Sequence, residues 1–503
     1  MFFVFFVLFV PSWLIFLMYK LLLILRYLRR KLAPMFAALA VTLCTAMVII
    51  VISVMGGFLD MMRGAARKLT GDVIIRADLT GFPDYESLLA TLHKLPEVAA
   101  ATPTLRAYGL VNLEGRVLTV EVIGIDPKGL DEVTGFGQTL QWTRQAVLDD
   151  FDETVPRGDK LSPDTREYWA QQRRRAEAWD LHKFGMEMKP PAEWGDKPGV
   201  VLGIAMSNRR DSKGQYHFND SSVRSKATLT VVPLSHAGVP IQPTLRDFTV
   251  VNEFKSGLYE IDANRVYVSF DTLQKMLHMD AAPAHDPETG EPTGKMLPAR
   301  ATEIMVKGKE GVPLEKLRDV VDNATHDFLI AHPTLLGLSV QTWEESHATF
   351  LGAVEKEKML LTILFAIISV VAVAMIAVIF YMIVLEKTRD IGVLRAIGAS
   401  RRGVASIFLG YGLAIGIVGA GLGLGLAAAI VLNINEIQDK LTAWFGVTVW
   451  NPEVYYFDKI PSKLNTHEVA VIVVAAVLAS VIGSLIPAIR AGQLDPVESL
   501  RYE

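Results

Sequence analysis

Met359–Leu385 reads MLLTILFAIISVVAVAMIAVIFYMIVL, without one charged residue. A membrane-crossing helix needs roughly 20 mostly apolar residues. A soluble core helix would carry a polar face at every turn. This stretch meets the first requirement and lacks the second feature. Three other runs are equally free of charge: Leu32–Leu59, Val404–Asn435 and Val469–Ile489. Four transmembrane helices are therefore expected, and they account for a hydrophobic fraction of 51% in a chain that also carries long charged stretches. The net charge of -4 gives no basic excess for nucleic acid. A single cysteine, Cys44, forms no intramolecular disulfide and no cysteine-based zinc cluster.

Orientation follows from the basic residues of the short flanking loops. Arg26, Arg29, Arg30 and Lys31 precede the first run; Lys387, Arg389, Arg395, Arg401 and Arg402 lie between the second and third. Both clusters are expected in the cytoplasm. The loop 436–468 balances Lys440, Lys459 and Lys463 against Glu436, Asp439, Glu453 and Asp458, and reads as external. The expected order is an apolar N-terminal segment and interfacial entry helix (1–31), a first span (32–59), an extracytoplasmic region (60–342), a stalk and second span (343–385), a cytoplasmic loop helix (386–402), a third span (403–435), the external loop, a fourth span (469–489) and a cytoplasmic tail (490–503). Residues 1–19 are apolar around Pro11 and lack both a leading basic region and a small-residue cleavage site. A fifth span, a membrane-surface helix and an early start codon are all compatible with them.

The extracytoplasmic region reads as mixed α/β. Strand patterns fall at Asp72–Ala77, Gly199–Ile204, Ala227–Pro233, Phe248–Phe254, Arg265–Phe270 and Glu303–Lys307. A hairpin is expected from Tyr108 to Ile125, turning at Glu114-Gly115. Helices are expected over Tyr85–Leu95, from a cap at Asp271 to His278, and over Leu314–His326. Asp280–Pro298 reads as a loop. Over 129–198 charges, Trp and Gln crowd in and periodicity fades, which marks an insertion. Trp343, Phe350, Leu351 and Val354 recur at helical spacing, and no proline intervenes before Leu385, so one continuous stalk helix is expected. In the third span Gly412 and Gly416, like Gly419 and Gly423, share a helix face and admit a close neighbour. Packing inside the chain and a seam between two chains are both open to them.

Motifs for catalysis are missing. There is no Gly-x-x-x-x-Gly-Lys-Ser/Thr loop, no His-Glu-x-x-His and no Gly-x-Ser-x-Gly elbow, and the ten histidines are scattered. No acid or base interrupts the four runs, where an ion-coupled carrier would keep one. The chain is therefore expected not to be an enzyme, to hold no metal or cofactor, and to draw its energy from elsewhere.

The loop from Glu386 reads EKTRDIGVLRAIGAS. Thr388 suits a helix start, Asp390 the first turn and Gly398 the end. Ile391, Leu394 and Ile397 fall on one side, with Arg389 and Arg395 alongside. Such a short amphipathic helix can fill a partner's groove or lie on lipid.

This loop resembles the coupling helix of the MacB/FtsX-type (type VII) ABC transporter permeases, which docks on a separate ATPase. Arg26–Phe58, Phe254-Lys-Ser-Gly-Leu-Tyr-Glu-Ile-Asp262, Thr342-Trp343-Glu344, Val454–Pro461, Pro487-Ala488 and Asp495–Glu503 resemble the lipoprotein-releasing (LolC/LolE-like) branch. The chain departs from that branch near Gly71-Asp72-Val73, where a Pro-His pair is replaced, and in the 129–198 insertion and the apolar N-terminus. The resemblance implies ATPase coupling through Glu386, Lys387, Thr388, Arg389, Asp390, Ile391, Gly392, Leu394, Arg395 and Gly398. It implies a second permease chain, identical or different, with ATP and magnesium bound by the ATPase, and a periplasmic lipoprotein carrier as a further partner beside the bilayer. The implied function is extraction of lipoproteins from the inner membrane. Force transmission to an outer-face hydrolase or sensor, efflux of a lipophilic compound, and a membrane-anchored binding module are the alternatives.

Overall fold

A computed structural model describes residues 32–154, 163–207, 215–219, 222–235, 238–285, 292–333, 335, 337–445 and 460–501. The expectations for 1–31 lie outside them. The chain divides into a helical unit (residues up to Asp60, Gly352–Val449 and from Ile460) and an α/β unit that includes Met61–Leu351.

Seven helices are used below: α1 (Leu32–Thr70), α2 (Ala348–Glu386), α3 (Thr388–Ala396), α4 (Arg401–Leu432), α5 (Ile434–Phe445), α6 (Thr466–Gln493) and α7 (Pro496–Arg501). α1, α2, α4 and α6 are long and apolar enough to cross a membrane. α1 does not stop at Leu59. It continues through Asp60 and Arg63, because Ala65, Ala66 and Leu69 are buried beyond them, and ends where Gly71 turns left-handed at φ 72°. Ser400 caps α4 by accepting a hydrogen bond from the Gly403 amide at 3.0 Å. The external loop expected from Glu436 begins instead as α5. Its alternating charges hid an amphipathic helix.

Small residues let α4 approach its neighbours. A Cβ on Gly412 would lie 2.7 Å from Ser484 Cβ, and one on Gly416 would lie 3.0 Å from Ser480 Cβ. Both face α6, whose Ser480 hydroxyl donates to the Gly412 carbonyl at 2.8 Å. Gly419 and Gly423 face α1, where added carbons would meet Val41 Cβ at 2.7 Å and Thr45 Cβ at 2.9 Å. The two pairs thus serve two different helices within one chain. Overpacking typically costs about 1–3 kcal/mol, so Gly412→Val is expected to lower the melting temperature of the detergent-solubilised chain. Gly421 has nothing within 4 Å of an added Cβ. Gly421→Ala is therefore expected to be neutral or mildly stabilising in the same melt.

The α/β unit is organised by a nine-stranded sheet. Its strands are β1 (Val73–Arg76), β2 (Val98–Leu113), β3 (Arg116–Ile125), β4 (Gly199–Gly203), β5 (Lys226–Val231), β6 (Thr244–Phe254), β7 (Arg265–Ser269), β8 (Glu303–Gly308) and β9 (Ser339–Thr342). The spatial order is β9-β1-β8-β2-β3-β7-β4-β6-β5, and the far end of β2 also pairs with β5. Glu114 and Gly115, at φ 50° and 88°, make the tight turn between β2 and β3. One sheet face packs Leu105, Val122, Val266 and Ile304 against helices Tyr85–Leu92, Phe270–Met276 and Leu314–Ala331. The other packs Ile123, Val251, Tyr267 and Met305 against Pro127–Thr134 and Leu181–Glu187.

Three local expectations are corrected. Ser269, not Asp271, precedes the helix Phe270–Met276, and Asp271 lies in its first turn. Ala282–His285 and Pro292–Leu297 pair as a small antiparallel ladder where a loop was expected, the prolines being tolerated at its ends. The 129–198 stretch, for its part, carries the helices Arg144–Thr154, Pro163–Ala178 and Leu181–Glu187, and its Trp142, Val147 and Trp179 share a core with Ile204, Tyr216 and Val223 that follow it in the chain. The stalk helix is broken. Thr342 and Glu345 form a capping box for the single turn Trp343–Ser346, and His347 interrupts it before α2 starts. The imidazole Nδ1 bonds the Trp343 carbonyl at 2.9 Å, occupying the acceptor that a continuing helix would use.

Candidate functional site

The loop helix α3 hangs between the ends of α2 and α4. Thr388 does not cap it. Lys387 holds that position without a side-chain cap, and the Thr388 hydroxyl donates backwards to the carbonyls of Val384 and Leu385, at 3.1 and 2.8 Å. Those carbonyls lie in the last turn of α2, where helical acceptors run short of donors. Lys387 Nζ reaches Asp390 Oδ2 at 2.7 Å. The helix closes with Ala399 donating to the Leu394 carbonyl at 3.0 Å and Gly398 at φ 108°, a conformation that favours glycine.

The expected apolar stripe is divided between two environments. Ile391 is 2% exposed and packs among Val384, Val404, Phe408, Ala488 and Ala491; Gly392 is buried beside it. Ile397, at 81%, and Val393, at 43%, face outward with Arg389, Asp390 and Ala396. Leu394 and Arg395 are half-buried, and Arg395 Nη1 donates to the Ala399 carbonyl at 3.3 Å. Ile391 is thus an inward anchor and does not share the outer face with Ile397. A helical wheel already separates Arg389, Val393 and Ile397 from Ile391; the signal was present in the i, i+4, i+8 spacing. A further element went unread. α7 packs on α3, starting at Asp495, whose carboxylate accepts from the Val497 amide at 2.8 Å, with Pro496 in the first position.

The other singled-out residues lie elsewhere. Trp343 packs with Ala66 and Leu351, Val354 is buried in the first turns of α2, and the Phe350 side chain lies outside the described residues. The α3 site therefore consists of an apolar pair flanked by exposed charges, held on a helix that is anchored from behind. Such a surface can bind a protein groove but carries no chemistry of its own. Among the described residues no cluster of histidine, cysteine, aspartate and glutamate could hold a metal ion.

Residues 362–496 match the FtsX-like permease C-terminal family, and residues 35–154 match the MacB-like periplasmic core domain. The chain is 25% identical to the lipoprotein-releasing system transmembrane protein LolC of Xylella fastidiosa over 490 residues, covering 95% of this chain and 98% of that protein. The chain belongs to the MacB/FtsX-type ABC permeases. The permease is also 31% identical over 137 residues to the lipoprotein-releasing system transmembrane protein LolE of Haemophilus influenzae, across 27% of this chain and 33% of that one. The crystal structure of the periplasmic region of MacB from Actinobacillus actinomycetemcomitans overlaps at 14% identity and a TM-score of 0.25, covering 57% of this chain and 95% of that one. As a multi-pass inner-membrane permease, the chain carries its α/β unit in the periplasm between the first and second spans. α3, between the second and third spans, is then cytoplasmic.

Proposed function

We propose that the permease extracts lipoproteins from the inner membrane, using ATP hydrolysed by a separate ATPase that docks on α3. Two permease chains would pair, each presenting one α3, with ATP and magnesium on the ATPase. The observation that carries the reading is the exposed pair Val393 and Ile397 on a helix anchored by buried Ile391. Ile391 fixes this helix to the bundle, as a lever requires. The lipoprotein-releasing names of two relatives support the substrate class. So does the energetics: pulling acyl chains from a bilayer costs roughly 0.8 kcal/mol per CH₂, about 10 kcal/mol for one long chain, which thermal motion does not supply.

The test is reconstitution of the permease, its partner chain and the co-purifying ATPase in proteoliposomes carrying a lipidated protein. Release that requires ATP hydrolysis, and is absent with a non-hydrolysable analogue, is the expected result. ATP turnover with the lipidated protein still in the membrane would leave the coupling but remove the substrate.

A further inference from the structure

On the sheet face that carries Ile123, Tyr267 and Met305, a row of alternating charge crosses five neighbouring strands: Arg76 of β1, Glu303 of β8, Arg106 of β2, Glu121 of β3 and Arg265 of β7. Arg76 stands opposite Glu303 in the ladder, and Glu121 opposite Arg265. Arg76 Nε lies 2.6 Å from Glu303 Oε1, and Arg106 Nη1 lies 3.5 Å from the same oxygen. Arg106 Nε is 3.0 Å from Glu121 Oε1, and Arg265 Nη2 is 2.7 Å from Glu121 Oε2. The Glu303 side chain is only 2% exposed. Burial alone would raise the Glu121 carboxyl, but Arg265 and then Arg106 outweigh it and hold the group below the usual carboxylate range. Three guanidiniums face two carboxylates, so the row keeps one positive charge in excess.

At its open end the row meets the stalk. Arg76 Nη2 donates to the Ser346 hydroxyl at 3.4 Å, and the next residue is His347, where the helix breaks. Burial, and after it the nearby Arg265, Arg76 and Arg106, depress the affinity of the half-buried imidazole for a proton, against the bond to the Trp343 carbonyl that favours it. Among the described residues, the other charges near the break include Glu344 and Glu345 on its own turn, Arg318 of helix Leu314–Ala331, which pairs with Glu345 at 3.2 Å, and Arg63 and Arg67 of α1; Arg67 pairs with Asp72 at 2.7 Å.

We propose that this five-strand charge row is the seat that positions the helix break at Ser346-His347, and that His347 is its proton-sensitive part. A neutral ring sits against the excess positive charge; an imidazolium is repelled by it. Because the folded state disfavours the proton, the seat is intact above the unperturbed histidine value of 6.5 and loosens as pH falls below it. The seat lies wholly within the α/β unit and needs no ATPase, so it stands or falls independently of the coupling reading.

Hydrogen exchange on the full chain in nanodiscs tests it, after correction for intrinsic rates. The Leu351 amide, which bonds the His347 carbonyl at 3.0 Å, reports the seat. Its exchange is expected to accelerate about tenfold from about pH 8 to about pH 5, and His347→Gln is expected to flatten that profile. Arg76 is used because it is the more accessible end of the row, 27% exposed against 9% for Arg265, and Arg106 still faces Glu303 at 3.5 Å when it is replaced. Arg76→Gln should speed Leu351 about tenfold at both pH values, with Arg76→Lys restoring most of the protection and the sheet amides of Val266 and Ile304 unmoved. Acid acceleration that persists in His347→Gln, or an Arg76→Gln effect spread equally over Val266 and Ile304, would overturn the proposal.

Discussion

Ile397→Asp combined with Val393→Asp is expected to abolish ATP-driven transport while the permease still inserts and folds. Both side chains are exposed, Ile397 at 81%, so an added carboxylate in water disturbs nothing inside the chain. In a docked complex the same carboxylates would be stripped of water in an apolar contact without a partner. Loss of an interface anchor typically costs about 2 kcal/mol or more, roughly thirty-fold in affinity. The measurement is transport-coupled ATP hydrolysis in proteoliposomes, beside the melting temperature. Ile391→Asp separates the two effects. At 2% exposure it buries an unpaired charge among Val384, Val404 and Phe408, so it is expected to lower the melting temperature as well as the coupling.

Trp142→Ala is expected to be the most destabilising single change in the periplasmic domain. Trp142 is 1% exposed. Its indole nitrogen donates to Glu253 Oε2 at 2.7 Å, and its carbonyl accepts from Asn252 Nδ2 at 3.0 Å. Asn252 also donates to the Leu181 carbonyl at 2.8 Å, so two consecutive residues of β6 pin both ends of the insertion. Ser222 contributes a second hydrogen bond to Glu253 at 2.9 Å. Truncating a buried tryptophan costs about 3–5 kcal/mol through lost burial and the cavity left behind. Loss of the indole donor to the buried Glu253 carboxylate adds to that. Urea unfolding of the permease, followed by Trp179 fluorescence or by proteolysis within the insertion, is expected to show the insertion released before the sheet. Trp142→Phe keeps the apolar volume but not the donor and is expected to fall between.

The spans were legible because lipid demands long uninterrupted apolar runs, and each such run is local in sequence. The Glu114-Gly115 turn was legible for the same reason, since a tight hairpin advertises itself in two residues. What escaped depends on distant partners. α5 looked like a loop because Glu436, Asp439 and Lys440 were read by charge and not by phase. The His347 break depends on a side chain bonding its own backbone, within a stretch whose propensity favours a continuous helix. Arg76 and Glu303 are neighbours only because β1 pairs with β8, which no local pattern announces. In the loop helix, position and length could be read directly. Which side faces in was carried only by the i, i+4, i+8 phase of Arg389, Val393 and Ile397, because Ile391 and Ile397 are chemically alike, and the packing of α2, α4 and α6 behind α3 decides it.

The central claim is that the outer face of α3 touches an ATPase, and site-specific photocrosslinking tests it most directly. A photoreactive residue is placed at Ile397 in one variant and at Ile391 in another, and adducts formed in the native membrane are identified by mass spectrometry. The account predicts that the Ile397 probe captures a protein with a Gly-x-x-x-x-Gly-Lys-Ser/Thr loop, and that the Ile391 probe yields only crosslinks within the permease. Adducts to lipid alone from Ile397, with no ATPase at either position, would contradict it and leave α3 as a membrane anchor.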